Sequence, residues 1–451
     1  MKPKLFGSSG IRGLANIDIT PTLAQRVGAA ISTIHEGGTS IIGRDARLTG
    51  PMLEAALTSG VNAAGGDVIQ VGLVPTPVVA WMIKESGSES GVAITASHNP
   101  PPYNGLKVFN QQGMSLTIKE QLMLEEVMEN ERYTWADWTQ VGTVEEVDAI
   151  DPYVDMLAES IDITNEHKVG LDCFCAATST LAPIAFKEFP LDTRIINAVP
   201  DGLFPAGNPE PTNDSLMRLG EYMKSTGCSI GFGFDGDGDR MMPVGSDGLM
   251  VSPDSALAAY AGYAVTRNNG GTVVTHVGAS MNVDDMVKQA GGKVVRTPVG
   301  DAFITEAMEK HNAVFGGEPV GAWVFPEHHM CPAGVMGALK VLEALDYLDQ
   351  TIEEFVQGAP IYPLDRAKLE CPNQKKNPAM EEISKRYADA FKDVESVSMV
   401  DGVRLEMSNG WVLIRPSGTE PIIRITVEGR TPRDVEDIMA GAKILVKKVI
   451  G

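Results

Sequence analysis

Up to about residue 362 the sequence runs three times through one rhythm, short apolar runs alternating with longer segments able to form helices. Apolar runs bounded by turn formers read as strands, and such a succession demands a layered α/β structure with a largely parallel sheet. In the first round Thr20 and Pro21 read as an N-cap and first helical position, with Leu23, Val27, Ile31 and Ile34 on one face. Gly37-Gly38 stops that helix, and "TSIIG", "DVIQVG" and "GVAIT" follow as strands. After "EEVDAID" (residues 145–151) the rhythm restarts with "KVGLD", "TRIIN" and "SIGFGFD", and from near Val251 with "GTVVTH", "KVVRT" and "AVFGG". From about Pro363 the pattern changes. "SVSMV", "VRLEM", "WVLIRP" and "IIRITVEG" are separated only by short turns, which predicts an antiparallel sheet. A helix then starts at Thr431-Pro432 with Val435, Ile438, Met439, Ala442, Leu445, Val446 and Val449 on its apolar face. A chain of 451 residues is too long for one core. The expected units are residues 1–145, 146–248 and 249–362, each α/β, and an α+β unit at 363–451. No long linker separates them, so they should pack around shared clefts.

Charge narrows the partners. A net charge of −22 opposes binding to nucleic acid or to an anionic membrane, and any phosphate site must be locally positive. No apolar run reaches the length of a membrane span, and "MKPKLFGSSGIRG" has no signal-peptide core. Five scattered cysteines, Cys173, Cys175, Cys228, Cys331 and Cys371, suit a reducing cytoplasm. The pair in "DCFCAA" lacks a second pair to complete a zinc site and reads as core packing.

Four loops carry chemistry. In "GFGFDGDGDRMMPVG" (231–245) Asp235, Asp237 and Asp239 alternate with glycines after a strand pattern. In an extended segment these positions face one way, and three convergent carboxylates need a cation, the plainer alternative being a solvated acidic turn. An all-oxygen set selects a hard ion such as Mg²⁺. The calcium-loop pattern fails, since its glycine and glutamate positions hold Arg240 and Ser246. In "GWVLIRPSGTEPIIRITVEG" (410–429) Arg415, Ser417, Gly418, Thr419 and Arg424 offer small residues and forked cations between two strands. This suits a phosphate group or a plain hairpin turn. In "VFGGEPVGAWVFPEHHMCPAG" (314–334) Glu318 can accept hydrogen bonds from sugar hydroxyls, and Trp323 is either a stacking platform or a core residue. The adjacent His328 and His329 do not suit one shared metal, and at least one reads as a surface histidine. Finally, "GVAITASHNPPPYNGLKVF" (91–109) puts Ser97 at the end of a strand on a proline-stiffened loop, with Lys107 returning toward it. A serine is a weak nucleophile, and no Gly-x-Ser-x-Gly elbow surrounds this one. On the loop alone, Ser97 is either an ordinary turn residue or one held for chemistry.

Taken together, the four loops resemble in order those of the α-D-phosphohexomutase family. "TASHNPPPYNGLKVF" resembles its phosphoserine loop, "DGDGDR" its metal loop, "GGEPVGAW" its sugar loop and "RPSGTEP" its phosphate loop. "LFGSSGIRG", "IIGRDAR" and "PDGLFPAGNPEPT" are similar to further family signatures. The resemblance runs nearly end to end. It implies four domains around a central cleft, the last of a TATA-binding-protein-like fold that often moves to close it, hinged before Pro363. It implies that Ser97 carries a phosphate, and that Ser97, Asp235, Asp237 and Asp239 hold one Mg²⁺ per chain. Arg12, Lys107 and Arg240 would stabilise the transferred group, Glu318 and Val320 would line the sugar site, and Arg415, Ser417, Gly418, Thr419 and Arg424 would grip the distal phosphate. The activity implied moves phosphate between C6 and C1 of a hexose phosphate through a 1,6-bisphosphate, which also serves as activator.

The sugar loop departs from the common Gly-Glu-x-Ser-Gly-His pattern, with Val320 and Ala322 in the serine and histidine places. That leaves Lys107, or His329, to handle the hydroxyl proton. Asp301 stands where some members have histidine, which favours glucosamine 6-phosphate over glucose or mannose phosphate as substrate. A sugar-phosphate phosphatase and a non-catalytic sugar-phosphate binder are the more distant readings.

Overall fold

The computed structural model describes residues 3–7, 10–417 and 420–451. The first sheet holds β1 (Ile11–Leu14), β2 (Ser40–Arg44), β3 (Val68–Leu73), β4 (Ser90–Ile94), β5 (Tyr103–Asn110) and β6 (Val144–Glu146), in the order β1-β5-β4-β2-β3-β6. The second holds β7 (His167–Asp172), β8 (Leu191–Ile196), β9 (Ile230–Phe234) and β10 (Met241–Val244), in the order β10-β9-β7-β8. The third holds β11 (Thr272–His276), β12 (Lys293–Thr297), β13 (Phe315–Gly317) and β14 (Trp323–Val324), in the order β12-β11-β13-β14.

One topology underlies all three. In the second and third sheets the first strand is central, with the second and third parallel to it on either side. The fourth strand then adds antiparallel to the third. In the first sheet β2, β3, β4 and β5 repeat that arrangement, and β1 and β6 extend its edges. An antiparallel neighbour needs only a short connection, whereas parallel strands need crossovers. The three short connections, β4–β5, β9–β10 and β13–β14, are therefore equivalent, and they carry Ser97, the aspartate triplet and Glu318. The sequence pattern did not reveal β1 or β5. The prolines at 100–102 turn the chain from β4 into β5 rather than out of the sheet, so Lys107 lies opposite Ala93.

Packing joins the three α/β units into one body. Trp81, Tyr153, Phe232, Tyr260 and Phe315 belong to a continuous buried cluster that draws on all three sheets' layers. Burying each such side chain contributes about 1.5–3 kcal/mol. The helix Pro21–Ile34 follows its expected signals. The Thr20 hydroxyl accepts from Leu23 N at 3.2 Å, and Val27 and Ile31 are buried while Leu23 and Ile34 sit at the rim. All five cysteines are free and buried. Among the described residues no helix is long and apolar enough to cross a membrane.

The last unit has β15 (Leu364–Glu370), β16 (Val394–Ser398), β17 (Val403–Met407), β18 (Gly410–Pro416) and β19 (Ile422–Gly429), ordered β15-β19-β18-β17-β16 with every pair antiparallel. The helix Pro432–Ile450 buries Val435, Ile438, Met439, Ala442, Leu445 and Val446, and Val449 packs at the edge. β15 and the helix Asn373–Arg386 escaped the sequence reading. That helix is polar and contains Pro378, a residue that ordinarily ends a helix.

This unit has its own core and meets the third through a small cluster of Val277, Met281, Trp411 and Leu413. The contact is mostly polar. Buried Glu428 accepts from Met281 N at 2.8 Å and from Trp411 Nε1 at 2.7 Å. Arg404 donates to the Val277 carbonyl and lies 4.0 Å above the Trp411 ring. Glu428→Ala leaves two buried donors unpaired, so it should cost about 2–4 kcal/mol. Urea unfolding monitored by circular dichroism should show that loss, and an unchanged midpoint would contradict this account of the docking.

Candidate active site

Ser97 closes the strand-to-loop transition after β4. Its backbone takes φ +51°, the left-handed region that a serine enters only when its surroundings demand it. Its N–H donates to Thr95 Oγ1 at 2.8 Å, and its hydroxyl donates to Asp235 Oδ2 at 2.7 Å. His98 Nδ1 stands 3.2 Å from the same hydroxyl. The serine is thus buried against the aspartate loop of the second unit.

The aspartates converge, but not by strand alternation. Residues 235–239 form the tight connection between β9 and β10, so the turn itself, with Gly238 at φ +69°, brings the carboxylates together. Their ligand oxygens lie within 4.8 Å of one another, and all three residues are buried. Gly236 is required for another reason: a Cβ there would lie 2.3 Å from the Ser97 carbonyl oxygen. Only glycine lets the two loops touch.

Buried like charges must be neutralised. Lys107 Nζ donates to Asp237 Oδ2 at 2.6 Å and to Asp239 Oδ2 at 2.5 Å. Burial disfavours its charge, yet Asp237 and Asp239 outweigh that and raise its pKa. Thr76 Oγ1 also donates to Asp237 Oδ2, at 2.5 Å. Asp237 is held low, since Lys107 and Thr76 overcome its burial. Asp235 is pushed far up by burial and by Asp239 and Asp237. Asp237 Oδ1 and Asp239 Oδ1 are buried with no hydrogen-bond partner among the described residues. Two orphaned carboxylate oxygens beside a third carboxylate fit a hard divalent cation. The Arg240 backbone N–H donates to Asp235 Oδ1 at 3.2 Å, and Arg12 lies on β1 opposite Gly105. The Nε groups of Arg12 and Arg240 are buried without a hydrogen-bond partner among the described residues, though Arg240 Nε lies 3.8 Å from Asp239 Oδ1, and both could donate to an anion.

The sugar loop lies directly against the aspartate loop, because Arg240 and Ala322 form an antiparallel bridge. Glu318 accepts from Gly300 N at 3.2 Å and faces His276 Nε2 at 3.9 Å. Burial, reinforced by Asp301, pushes its carboxyl up to about 7. At neutral pH it can therefore both donate to and accept from a hydroxyl. Burial, with Arg296 and further cations including Arg415, pushes His276 down to about 4, so the imidazole is neutral. Val320 is 43% exposed at the loop tip. Trp323 is a core residue, packed on Tyr260 and Phe315 with 2% of its surface exposed, and cannot stack on a sugar.

On the last unit Arg415 lies opposite Arg424 on the paired strands β18 and β19. Arg415 pairs with Asp401 at 3.2 Å and Arg424 with Glu420 at 2.6 Å. Both side chains are more than a third exposed, and such pairs are worth about 0–1 kcal/mol, so a phosphate can displace the carboxylates. Lys376 donates to the Ser417 carbonyl at 2.6 Å, and the Ser417 hydroxyl accepts from Glu420 N at 3.1 Å. Gly418 and Thr419, expected in this loop, lie outside the described residues.

The chain matches models of phosphoglucomutase/phosphomannomutase in order: α/β/α domain I over residues 3–135, domain II over 151–248, domain III over 252–362 and the C-terminal domain over 367–442. It is 40% identical to a probable phosphoglucosamine mutase of Pyrococcus abyssi, over 99% of this chain and 98% of that protein. It is 38% identical to a probable phosphoglucosamine mutase of Methanothermobacter thermautotrophicus, over 100% and 99%. A crystal structure of a phosphoglucomutase/phosphomannomutase family protein from Burkholderia thailandensis superposes with TM-score 0.89 at 27% identity, covering 99% of this chain and 97% of that one. N-acetylphosphoglucosamine mutase of Aspergillus fumigatus, in complex with GlcNAc-6P and magnesium, shares the fold at TM-score 0.59 and 14% identity, over 100% and 96%. The chain belongs to the phosphoglucomutase/phosphomannomutase family.

Ala322 is buried in the bridge to Arg240, where its backbone does the work. Sequence reasoning missed His276 and Thr76; the former ends a strand pattern and the latter starts a helix, and neither has a local motif. Neither neighbouring histidine is a surface residue. His328 is half-buried, and His329 is buried with its Nε2 3.0 Å from Tyr153 Oη. Burial, with His328 and Lys84, pushes His329 down to about 3, so it is a neutral packing residue rather than the proton handler. The unfolded chain binds a proton near pH 6.5 that the folded state refuses. Stability should fall as pH drops below about 6.5, by on the order of a few kcal/mol toward pH 3. His329→Gln should flatten that decline in acid-unfolding curves, and an unchanged pH slope would contradict it.

Proposed function

We propose that this protein is a phosphoglucosamine mutase, interconverting glucosamine 6-phosphate and glucosamine 1-phosphate through a phosphate carried on Ser97. The observation that carries the reading is the Ser97 hydroxyl held 2.7 Å from Asp235 inside a buried three-carboxylate cluster. The amino-sugar assignment is supported by the names of full-length relatives at 38–40% identity.

Phosphoserine carries nearly two negative charges, which the buried aspartates alone would repel. Lys107, Arg240 and Arg12 supply the compensating field on the protein's side. Ser97, Asp235, Asp237 and Asp239 would hold one Mg²⁺, and when bound it would neutralise charge on the transferring phosphoryl group. A magnesium complex of an A. fumigatus enzyme of this fold supports that choice of ion.

In the first half-reaction a sugar hydroxyl oxygen bonds to phosphorus as the bond to Ser97 Oγ breaks, and the hydroxyl proton ends on Ser97 Oγ. The product is a hexose 1,6-bisphosphate. After it turns in the cleft, Ser97 Oγ bonds to the other phosphorus as that phosphorus leaves its sugar oxygen, the serine proton passes to that oxygen, and a monophosphate of the opposite position leaves. Such transfer depends on positioning and charge stabilisation. Glu318, with Val320 beside it, would hold the sugar. Arg415, Arg424 and the segment Ser417, Gly418 and Thr419 would grip whichever phosphate is not reacting. A hexose 1,6-bisphosphate would also charge an enzyme whose Ser97 had lost its phosphate.

The last unit's separate core and small polar contact support a closing movement about the segment before Pro363. The functional units are read as residues 1–145, 146–248, 249–362 and 363–451. Five free buried cysteines support a reducing compartment such as the cytoplasm.

Measured with a bisphosphate activator, kcat/KM should be highest for glucosamine 6-phosphate among the glucosamine, glucose and mannose 6-phosphates. Preference for glucose or mannose would overturn the substrate assignment. Ser97→Ala should lower mutase turnover by about 10³-fold or more with the fold intact. Retained turnover would overturn the phosphoserine role.

A further inference from the structure

Two segments singled out in the sequence, "IIGRDAR" and "PDGLFPAGNPEPT", supply none of the groups assigned so far, yet they meet at Arg47. Its side chain is completely buried, and all five of its N–H donors are engaged. Nε donates to Asp45 Oδ2 at 2.9 Å. Nη1 donates to the carbonyls of Pro100 at 2.8 Å and Tyr103 at 2.9 Å. Nη2 donates to the carbonyls of Ser97 at 2.7 Å and Asn99 at 2.6 Å. Four carbonyls of the serine loop thus converge on one guanidinium. Buried carbonyls that lack donors would force the loop to rearrange.

Asp45 completes the clamp. It accepts from Arg47 N at 2.9 Å and from Thr95 Oγ1 at 2.6 Å, while Thr95 Oγ1 in turn accepts from Ser97 N. The N–H and C=O of Ser97 are therefore tied to the same Asp45–Arg47 pair, one through Thr95 and one directly. From the second unit the Phe204 ring covers the guanidinium at 5.1 Å, and Gly236 presses on the Ser97 carbonyl. A left-handed serine persists only when its surroundings over-determine it.

We propose that Arg47, anchored by Asp45, is the positioning residue that holds Ser97 in its left-handed conformation and so aims its oxygen for phosphoryl transfer. This rests on the reading of Ser97 as the phosphate carrier. A lysine at position 47 keeps the charge but has three donors, too few for four carbonyls and a carboxylate.

The test uses the full-length enzyme charged on Ser97 with a hexose 1,6-bisphosphate. Arg47→Lys should lower kcat by about 100-fold, the cost of a misplacement near 1 Å, with KM for glucosamine 6-phosphate within about threefold. The ³¹P resonance of the phosphoserine should shift or broaden. Thr95→Val, nearly isosteric, should lower kcat by about tenfold, and Thr95→Ser should restore it, since the hydroxyl alone carries the tie. If Arg47→Lys does not fold, the Thr95 pair decides. The inference is overturned if folded Arg47→Lys or Thr95→Val keeps kcat within twofold of the parent, or if either loss disappears once rates are expressed per folded, phosphorylated molecule. A parent enzyme that turns over with no phosphate on Ser97 would instead refute the carrier role itself.

Discussion

Three carboxylates held within 4.8 Å of one another in a buried turn are the constraint around which the rest is arranged. Left alone they would protonate or spring apart. Lys107 comes from the first unit to bond two of them, and Thr76 of the same unit adds a neutral donor. Ser97 donates to the third. The first and second units are therefore joined through the groups proposed to handle phosphate, and the negative turn ties together parts far apart in sequence. The overall charge of −22 is reconciled with an anionic ligand in the same way, by concentrating Arg12, Lys107 and Arg240 where the aspartates are.

Repetition of one topology explains how three units deliver different chemistry to one place. Each presents the short connection between the third and fourth strands of the shared four-strand arrangement at the same end of its sheet, where loops of α/β proteins commonly meet ligands. The loops touch: Gly236 lies on the Ser97 carbonyl, and Arg240 bridges to Ala322. Ser97, the aspartate triplet and Glu318 occupy one topological position used three times. The fourth unit breaks the pattern, with an antiparallel sheet, its own core and exposed, exchangeable arginines. That combination suits a part that engages and releases a ligand while the other three stay packed.

Much of this was legible in the chain. Strand and helix rhythm located the sheets, and the aspartate triplet, Glu318, Lys107 and Ser97 each carried a local signal. The causes were less legible than the residues. The triplet converges through a tight turn, not through strand alternation, because Gly236 and Gly238 relieve contacts that only the folded neighbours impose. Trp323 stayed open between stacking platform and core residue, and His329 between surface residue and proton handler, because composition does not say which side of a loop faces the core. Arg47 was visible only as part of a signature, since its partners are backbone carbonyls fifty or more positions away, and carbonyls have no sequence.

The central claim is that phosphate passes through Ser97 and stays in the cleft between half-reactions. The most direct measurement charges the enzyme with a hexose 1,6-bisphosphate bearing labelled phosphates, maps the label, and then chases it with unlabelled glucosamine 6-phosphate. The account predicts label on the peptide containing Ser97, followed by its transfer to sugar phosphate with little inorganic phosphate released. Label on another residue, or label on Ser97 that leaves chiefly as inorganic phosphate, would contradict it.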